Sequence, residues 1–333
     1  MKLLLRVITP SLLIVAILGM SCAVDRRAVP EGMAHTWSAS NSAMSWLVQQ
    51  QRTDGHWGTE QHRVALTSLA TLALLSHGKT PASSDYGKSI QNAMRALLRD
   101  AESEAKLTPT EEDLLTWCLS ESFVITKIPM LLDSARRHAS ALDESTATHW
   151  RAFTAKSLCL SGTAPNIGKR EIDNLNTYYS SRTNNMLDEA SHIFVIMGTR
   201  SGKQLKPYLD SLQRQDIANW RNADMPLQTA CVLSMTLLHV GGKDWMEWSS
   251  QFDQDLITRQ ITKKTLGWWT AKSLGVPDTP EIKGLSKKEA DIYTTSLMLL
   301  SLQRPHFYPS FRPPHKSKEQ DIGDNDIDII FYK

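Results

Sequence analysis
The sequence predicts an all-α fold of stacked helix pairs. Three observations carry this. Apolar residues recur at a period of about 3.6 almost throughout, and no Val/Ile/Thr-rich alternating run of strand length precedes the C-terminal tail. Long apolar helices recur, at Val64–His77, Leu114–Thr126, Ala152–Leu160, Leu187–Met197, Leu227–Val240 and Ile292–Leu302. Several run into a glycine suited to a left-handed cap (Gly78, Gly162, Gly198, Gly241), and the spacing of these glycines gives a period of about 40 residues.

The elements follow in chain order. Lys2 and Arg6 precede an apolar run from Val7 to Met20, with small residues at Ser21 and Ala23. This is the layout of an export signal over residues 1–23, and the run is short for a bilayer span. Cleavage after Ala23 would release a soluble chain starting at Val24. Alternatively, Gly19-Met20-Ser21-Cys22 resembles a lipoprotein box with Cys22 lipidated, although the Leu usual three residues before the Cys is replaced by Gly19. An uncleaved anchor is the third alternative. The expected address is the periplasm or cell envelope, and any membrane attachment would run through the N-terminus.

Residues 24–36 read as a linker and 37–303 as one repeat domain. Amphipathic helices, such as Tyr86–Glu102 and Lys206–Arg214, lie between the apolar ones. Thr108-Pro109-Thr110-Glu111 and Ser286-Lys287-Lys288-Glu289 are capping boxes, the first with proline at its first helical position. Pro81, Pro165, Pro207 and Pro277 fall between apolar helices, where they break nothing. The stretch holds about six helix pairs. Helices apolar on every face must be enclosed by the amphipathic ones. Such pairs close into a ring or form an open solenoid, and periodicity does not choose. Residues 304–333 form a Pro/aromatic and acidic tail that cannot continue the last helix.

Charge excludes one class of partner. The chain has 37 basic and 35 acidic residues, and Lys2 and Arg6 lie in the expected signal. A processed chain is therefore balanced, which argues against a nucleic-acid binder. Cys118, Cys159 and Cys231 follow Cys22, each inside an apolar helix, and are expected as buried free thiols. There is no Cys-x-x-Cys pair of the kind that holds structural zinc.

One motif chooses between ring and solenoid through resemblance. Trp46-Leu47, Gln51, Gly55 and Trp57 stand in the run WLVQQQRTDGHW. This is similar to the repeat of squalene–hopene cyclases and their relatives. Degraded copies follow: Tyr208-Leu209 and Gln213, with Ile217 in place of the glycine and Trp220 one residue late; then Gly267-Trp268-Trp269. Ile292–Leu297 resembles the closing helix of bacterial squalene-cyclase-like repeat proteins. The resemblance implies an α/α toroid of about six helix pairs. The role assigned to these residues is structural. The amide bridges orphan backbone groups at neighbouring helix ends and the indole covers the joint.

The chemistry of that family is not legible here. Its cyclases protonate with an Asp-x-Asp-Asp run. Glu111-Glu112-Asp113 lacks the pattern and reads as first-turn acids complementing a helix dipole. Asp253-Gln254-Asp255-Leu256 reads as a solvated face. Asp324-Asn325-Asp326-Ile327-Asp328 lies in the tail and lacks the glycine of a calcium loop. No Asp-x-Cys zinc element of the prenyltransferase kind and no Gly-Cys thioester motif occurs. Two opposed carboxylates far apart in sequence, as in glycoside cleavage, remain open. His56, Glu60 and His62 read as surface residues at a helix start rather than metal ligands, His192 and His239 as core histidines, and Arg136-Arg137-His138 as an exposed turn. The expectation is an exported binding or scaffold module with no cofactor, whose partner is an apolar small molecule or a protein. The alternative is an enzyme acting on an isoprenoid or glycan within the toroid cavity.

Overall fold
The computed structural model describes residues 31–142, 148–182, 185–197, 206–210, 220, 225–276 and 284–302. The expectations for Cys22, Gln213, the export signal and the tail lie outside these residues, as does that for the side chain of His239. The described chain is mostly helical. Its helices are α1 (Glu31–Gln49), α2 (Arg63–Ser76), α3 (Gly87–Ala101), α4 (Pro109–Thr126), α5 (Pro129–Ala141), α6 (Arg151–Leu160), α7 (Pro165–Ser180), α8 (Met186–Ile196), α9 (Leu227–Val240), α10 (Gly242–Arg259), α11 (Ala271–Leu274) and α12 (Lys287–Ser301). Residues 206–210 are also helical. A short antiparallel hairpin, β1 (Ile261–Lys263) and β2 (Leu266–Trp268), pairs Thr262 with Gly267. Strands of three residues are too short for an alternating pattern to be read, so the hairpin was not expected.

Both capping boxes form. Thr108 accepts from the Glu111 amide while the Glu111 carboxylate receives the Thr108 N–H at 2.9 Å. Ser286 and Glu289 do the same for α12. Gly78, Gly162 and Gly241 take positive φ just past α2, α6 and α9.

Burial separates two kinds of helix. In α3, Ile90, Ala93, Met94, Leu97 and Ala101 are buried while Lys88, Gln91, Arg95 and Arg99 are exposed, a single apolar stripe. In contrast, every residue of 66–76 in α2 is buried. So are 113–122 in α4, 151–158 in α6, 190–196 in α8, 227–237 in α9, and 292–302 in and just beyond α12. About two turns or more of consecutive burial leave no face of those helices open to water. The enclosed helices pack in succession: α2 on α4, α4 on α6, α6 on α8, α8 on α9, α9 on α12, and α12 back on α2. The other helices cover them, with α3 on α2 and α4, α5 on α4, α7 on α6 and α8, α10 on α9 and α1 on α12. The contacts therefore return to the helix where they begin.

Candidate functional site
The first joint contains Gln51, Gly55 and Trp57 of the run WLVQQQRTDGHW. Trp57 is fully buried, and its indole N–H donates to the Leu47 carbonyl at 2.7 Å. Leu47 lies in the last turn of α1, where carbonyls lack the partner four residues on, and its oxygen also accepts the Gln50 N–H at 3.0 Å. The Trp57 backbone N–H donates to Thr67 Oγ1 on α2 at 2.9 Å. One residue thus ties the end of a covering helix to the enclosed helix that follows. Gln51 ties α1 sideways. Its amide donates to the Gly55 and Ser89 carbonyls at 2.9 and 3.0 Å and accepts the Ser89 hydroxyl at 2.6 Å, which reaches the first turn of α3. Gly55 sits at φ +95°, and a Cβ there would stand 2.5 Å from the Asn92 carbonyl oxygen. The loop approaches α3 too closely for any side chain.

A second joint repeats this geometry. The Trp269 indole N–H donates to the Leu256 carbonyl at 2.8 Å, in the last turn of α10. Its backbone N–H donates to Thr295 Oγ1 on α12 at 3.2 Å. The glutamine of this joint is Gln260, which the sequence reading missed. Its amide donates to the Ala39 carbonyl at 2.8 Å and accepts the Ser42 hydroxyl at 3.1 Å, so it ties α10 to α1. The hairpin lengthens the interval between Gln260 and Gly267 and hides the motif; allowing a variable gap would have revealed it. Trp46 stacks on Trp268 with centroids 5.7 Å apart, packing the same seam.

The middle copy is different. Trp220 is buried, but its indole donates to the Asp255 carboxylate at 3.1 Å rather than to a helix-end carbonyl. Tyr208 is half-buried and meets His192 edge-on at 5.0 Å. Asp255 therefore anchors an indole, where a solvated face was expected.

Glu289 joins the last helix to the first loop. It accepts the Thr59 backbone N–H at 2.8 Å and hydroxyl at 2.7 Å, besides closing its own capping box. Burial works to raise its carboxyl, but the bonds from Ser286 and Thr59 outweigh it and hold it down at about 2.

The acids at the start of α4 divide three ways. Glu111 serves the cap, as expected of a first-turn acid. Glu112 bonds His138 at 2.6 Å, and His138 also reaches the Ala101 carbonyl at 3.1 Å. His138 is thus a half-buried bridge between three helices, not part of an exposed turn; Arg136 and Arg137 are exposed as expected. Asp113 is fully buried and pairs with Arg151 of α6. Thr148 donates to its other oxygen at 2.5 Å. Arg151 in turn holds Glu171 of α7 at 3.0 Å. Burial pushes the Asp113 carboxyl up to about 6 even against the Arg151 charge. The dipole role expected for Asp113 is replaced by a buried ion cluster, because its helix face points at α6 rather than at water.

His56 is also buried, contrary to the surface reading. Its Nε2 meets Asp100 at 2.9 Å and its Nδ1 lies 3.3 Å from Asp54, while Arg63 holds the other Asp100 oxygen at 2.9 Å. Glu60 is exposed and bonds Arg63, and His62 is half-buried. Among the described residues no group of three or more His, Cys, Asp and Glu side chains is placed to hold a metal ion. His192 is a core histidine as expected, with Nε2 at 3.1 Å from Asn176. Cys118 and Cys231 are buried, and burial pushes both thiols up to about 12. Cys159 is only half-buried, because α6 ends in the exposed turn that begins at Leu160. Lys156, unmarked in the sequence reading, is buried in α6 with its ammonium on the Met197 carbonyl and 5.3 Å from the Phe194 ring centre. Burial lowers it to about 8.

No protein-family model, no curated protein and no solved structure matches this chain. Among the described residues no helix is long and apolar enough to cross a membrane.

Proposed function
We propose that this chain is an α/α toroid of about six helix pairs, exported to the cell envelope, that works as a binding or scaffold module. Its partner, a protein, would meet the ends or the outer face of the ring. The observation that carries this reading is burial on every face of the enclosed helices, from 66–76 in α2 to 292–302 at α12. A water-filled central hole would leave one stripe of each helix accessible. The return of the contacts from α12 to α2 supports closure, and the Trp57 and Trp269 joints support kinship with the squalene–hopene cyclase repeat. The Asp113 carboxylate has both oxygens engaged, by Arg151 and Thr148, which favours binding over proton delivery to a substrate.

Two measurements test this. Small-angle scattering should give a globular particle; an elongated one would exclude the ring. Mass spectrometry of an organic extract of the protein from its native-type host should find no stoichiometric isoprenoid or lipid. A stoichiometric apolar ligand would overturn the packed centre and favour the enzyme reading.

A further inference from the structure
Two carboxylates share one guanidinium at the meeting of α4, α6 and α7. Asp113, Arg151 and Glu171 have side-chain exposures of 0, 2 and 2 %. Glu171 is supported twice, by Arg151 at 3.0 Å and by the half-exposed Arg170 at 3.2 Å. Among the described residues Asp113 has a share of Arg151, the Thr148 hydroxyl, and the Thr154 hydroxyl on its backbone carbonyl at 2.8 Å. Water cannot compensate the difference, since a charge removed from water is costly unless fully paired. Of the two acids, Asp113 is the one that the cluster leaves short of positive charge.

We propose that this cluster is a proton-responsive clasp: with Asp113 charged the α4–α6–α7 joint is loosened, and with Asp113 protonated it is tightened. The proton adds to a carboxylate oxygen of Asp113. Arg151 is then left to Glu171, which Arg170 also supports, and the repulsion between the two acids vanishes. Among the described residues the titratable and charged groups reaching Asp113 are Arg151 from α6 and Glu171 and Tyr179 from α7. From α5, His138 engages the neighbouring Glu112 instead.

The direction of the effect follows from linkage. A carboxyl that is harder to ionise in the folded joint than in the opened one binds its proton more tightly when folded, so the joint gains stability as pH falls through the folded value. Ordinary paired carboxylates behave oppositely. His138 is raised by Glu112 against its burial, and it pushes in the same direction as Asp113. A pH curve alone therefore does not isolate the clasp, and a variant must.

The test is amide hydrogen exchange of the full chain, corrected for intrinsic rates, from about pH 7.5 to about pH 5. In the unaltered protein the amides of α6 and α7 should become about tenfold better protected over this range, while those of α12 should not. Asp113→Asn should be protected at the higher pH already, with most of the rise abolished. If that variant does not fold, Glu171→Gln serves: it gives Arg151 to Asp113 alone and should remove the rise too. Flat or falling protection in the unaltered protein, or a full rise retained in the variants, would overturn the clasp.

Discussion

Glu289 receives both the backbone N–H and the hydroxyl of Thr59, a residue 230 positions earlier in the chain. The loop that follows the first indole joint is thereby fastened to the first turn of the last helix. With α12 packed on α2, and Gln260 fastened to α1, the two ends of the described fold are held together at three places.

Glu289→Gln should lower stability by about 1–2 kcal/mol, because charge-assisted bonds become neutral ones and the cap weakens. The effect should depend on pH. The folded carboxyl sits at about 2 against an ordinary value of 4.5, so its contribution is present above the ordinary value and is lost as pH falls from there towards about 2. Urea unfolding at a series of pH values should show a smaller acid loss in the variant than in the parent. Equal losses would mean that another group carries it.

Trp57→Ala should cost roughly 3–5 kcal/mol, the range for removing a large buried aromatic. Trp57→Phe keeps most of the packing and removes the bond to Leu47, so it should cost about 1 kcal/mol from that bond, besides any loss from the smaller ring. Trp269→Phe should behave alike, since its bond to Leu256 is the counterpart. Thermal unfolding measures both. An unchanged melting temperature for Trp57→Ala would contradict its role as a fastening between helices.

Gly55→Ala should destabilise by more than about 1 kcal/mol. The added methyl meets the Asn92 carbonyl at 2.5 Å, and the residue must also hold φ +95°. Backbone on the far side cannot rotate away as a side chain would. A neutral substitution would show that the loop lifts off α3 at little cost.

The thiols should separate by rate. Cys159 is half-buried and should react first with a thiol reagent, whereas Cys118 and Cys231, buried and pushed up to about 12, should label only on unfolding. Mass spectrometry of a labelling time course reads this directly. Early modification of Cys118 would mean that the α2–α4 contact opens in the native protein.

The helices and their ends were legible because they are local. Thr108 and Ser286 announce their caps three residues ahead of Glu111 and Glu289. The apolar stretch of α2 reads as enclosed because no face of it offers a charge for water. Trp57 and Gln51 were recognisable because Gly55 keeps their short spacing. Gln260 was not, since three extra residues in the hairpin loop separate it from Gly267. His56, Asp113 and Lys156 were misread or overlooked for a different reason. A charged or polar residue beside a helix start looks solvated until the covering helix is placed over it.

The sequence by itself determined the all-helical class and the alternation of enclosed and covering helices. These rest on periodicity, capping and turn chemistry, interactions that span a few residues. Only the tertiary structure decided that Asp113 meets Arg151, that Gln260 meets Ala39 and that Glu289 meets Thr59, partners 38, 221 and 230 residues apart. Such pairings depend on which helix faces are buried against each other, and a polar side chain looks the same in sequence whether its partner is water or a distant helix.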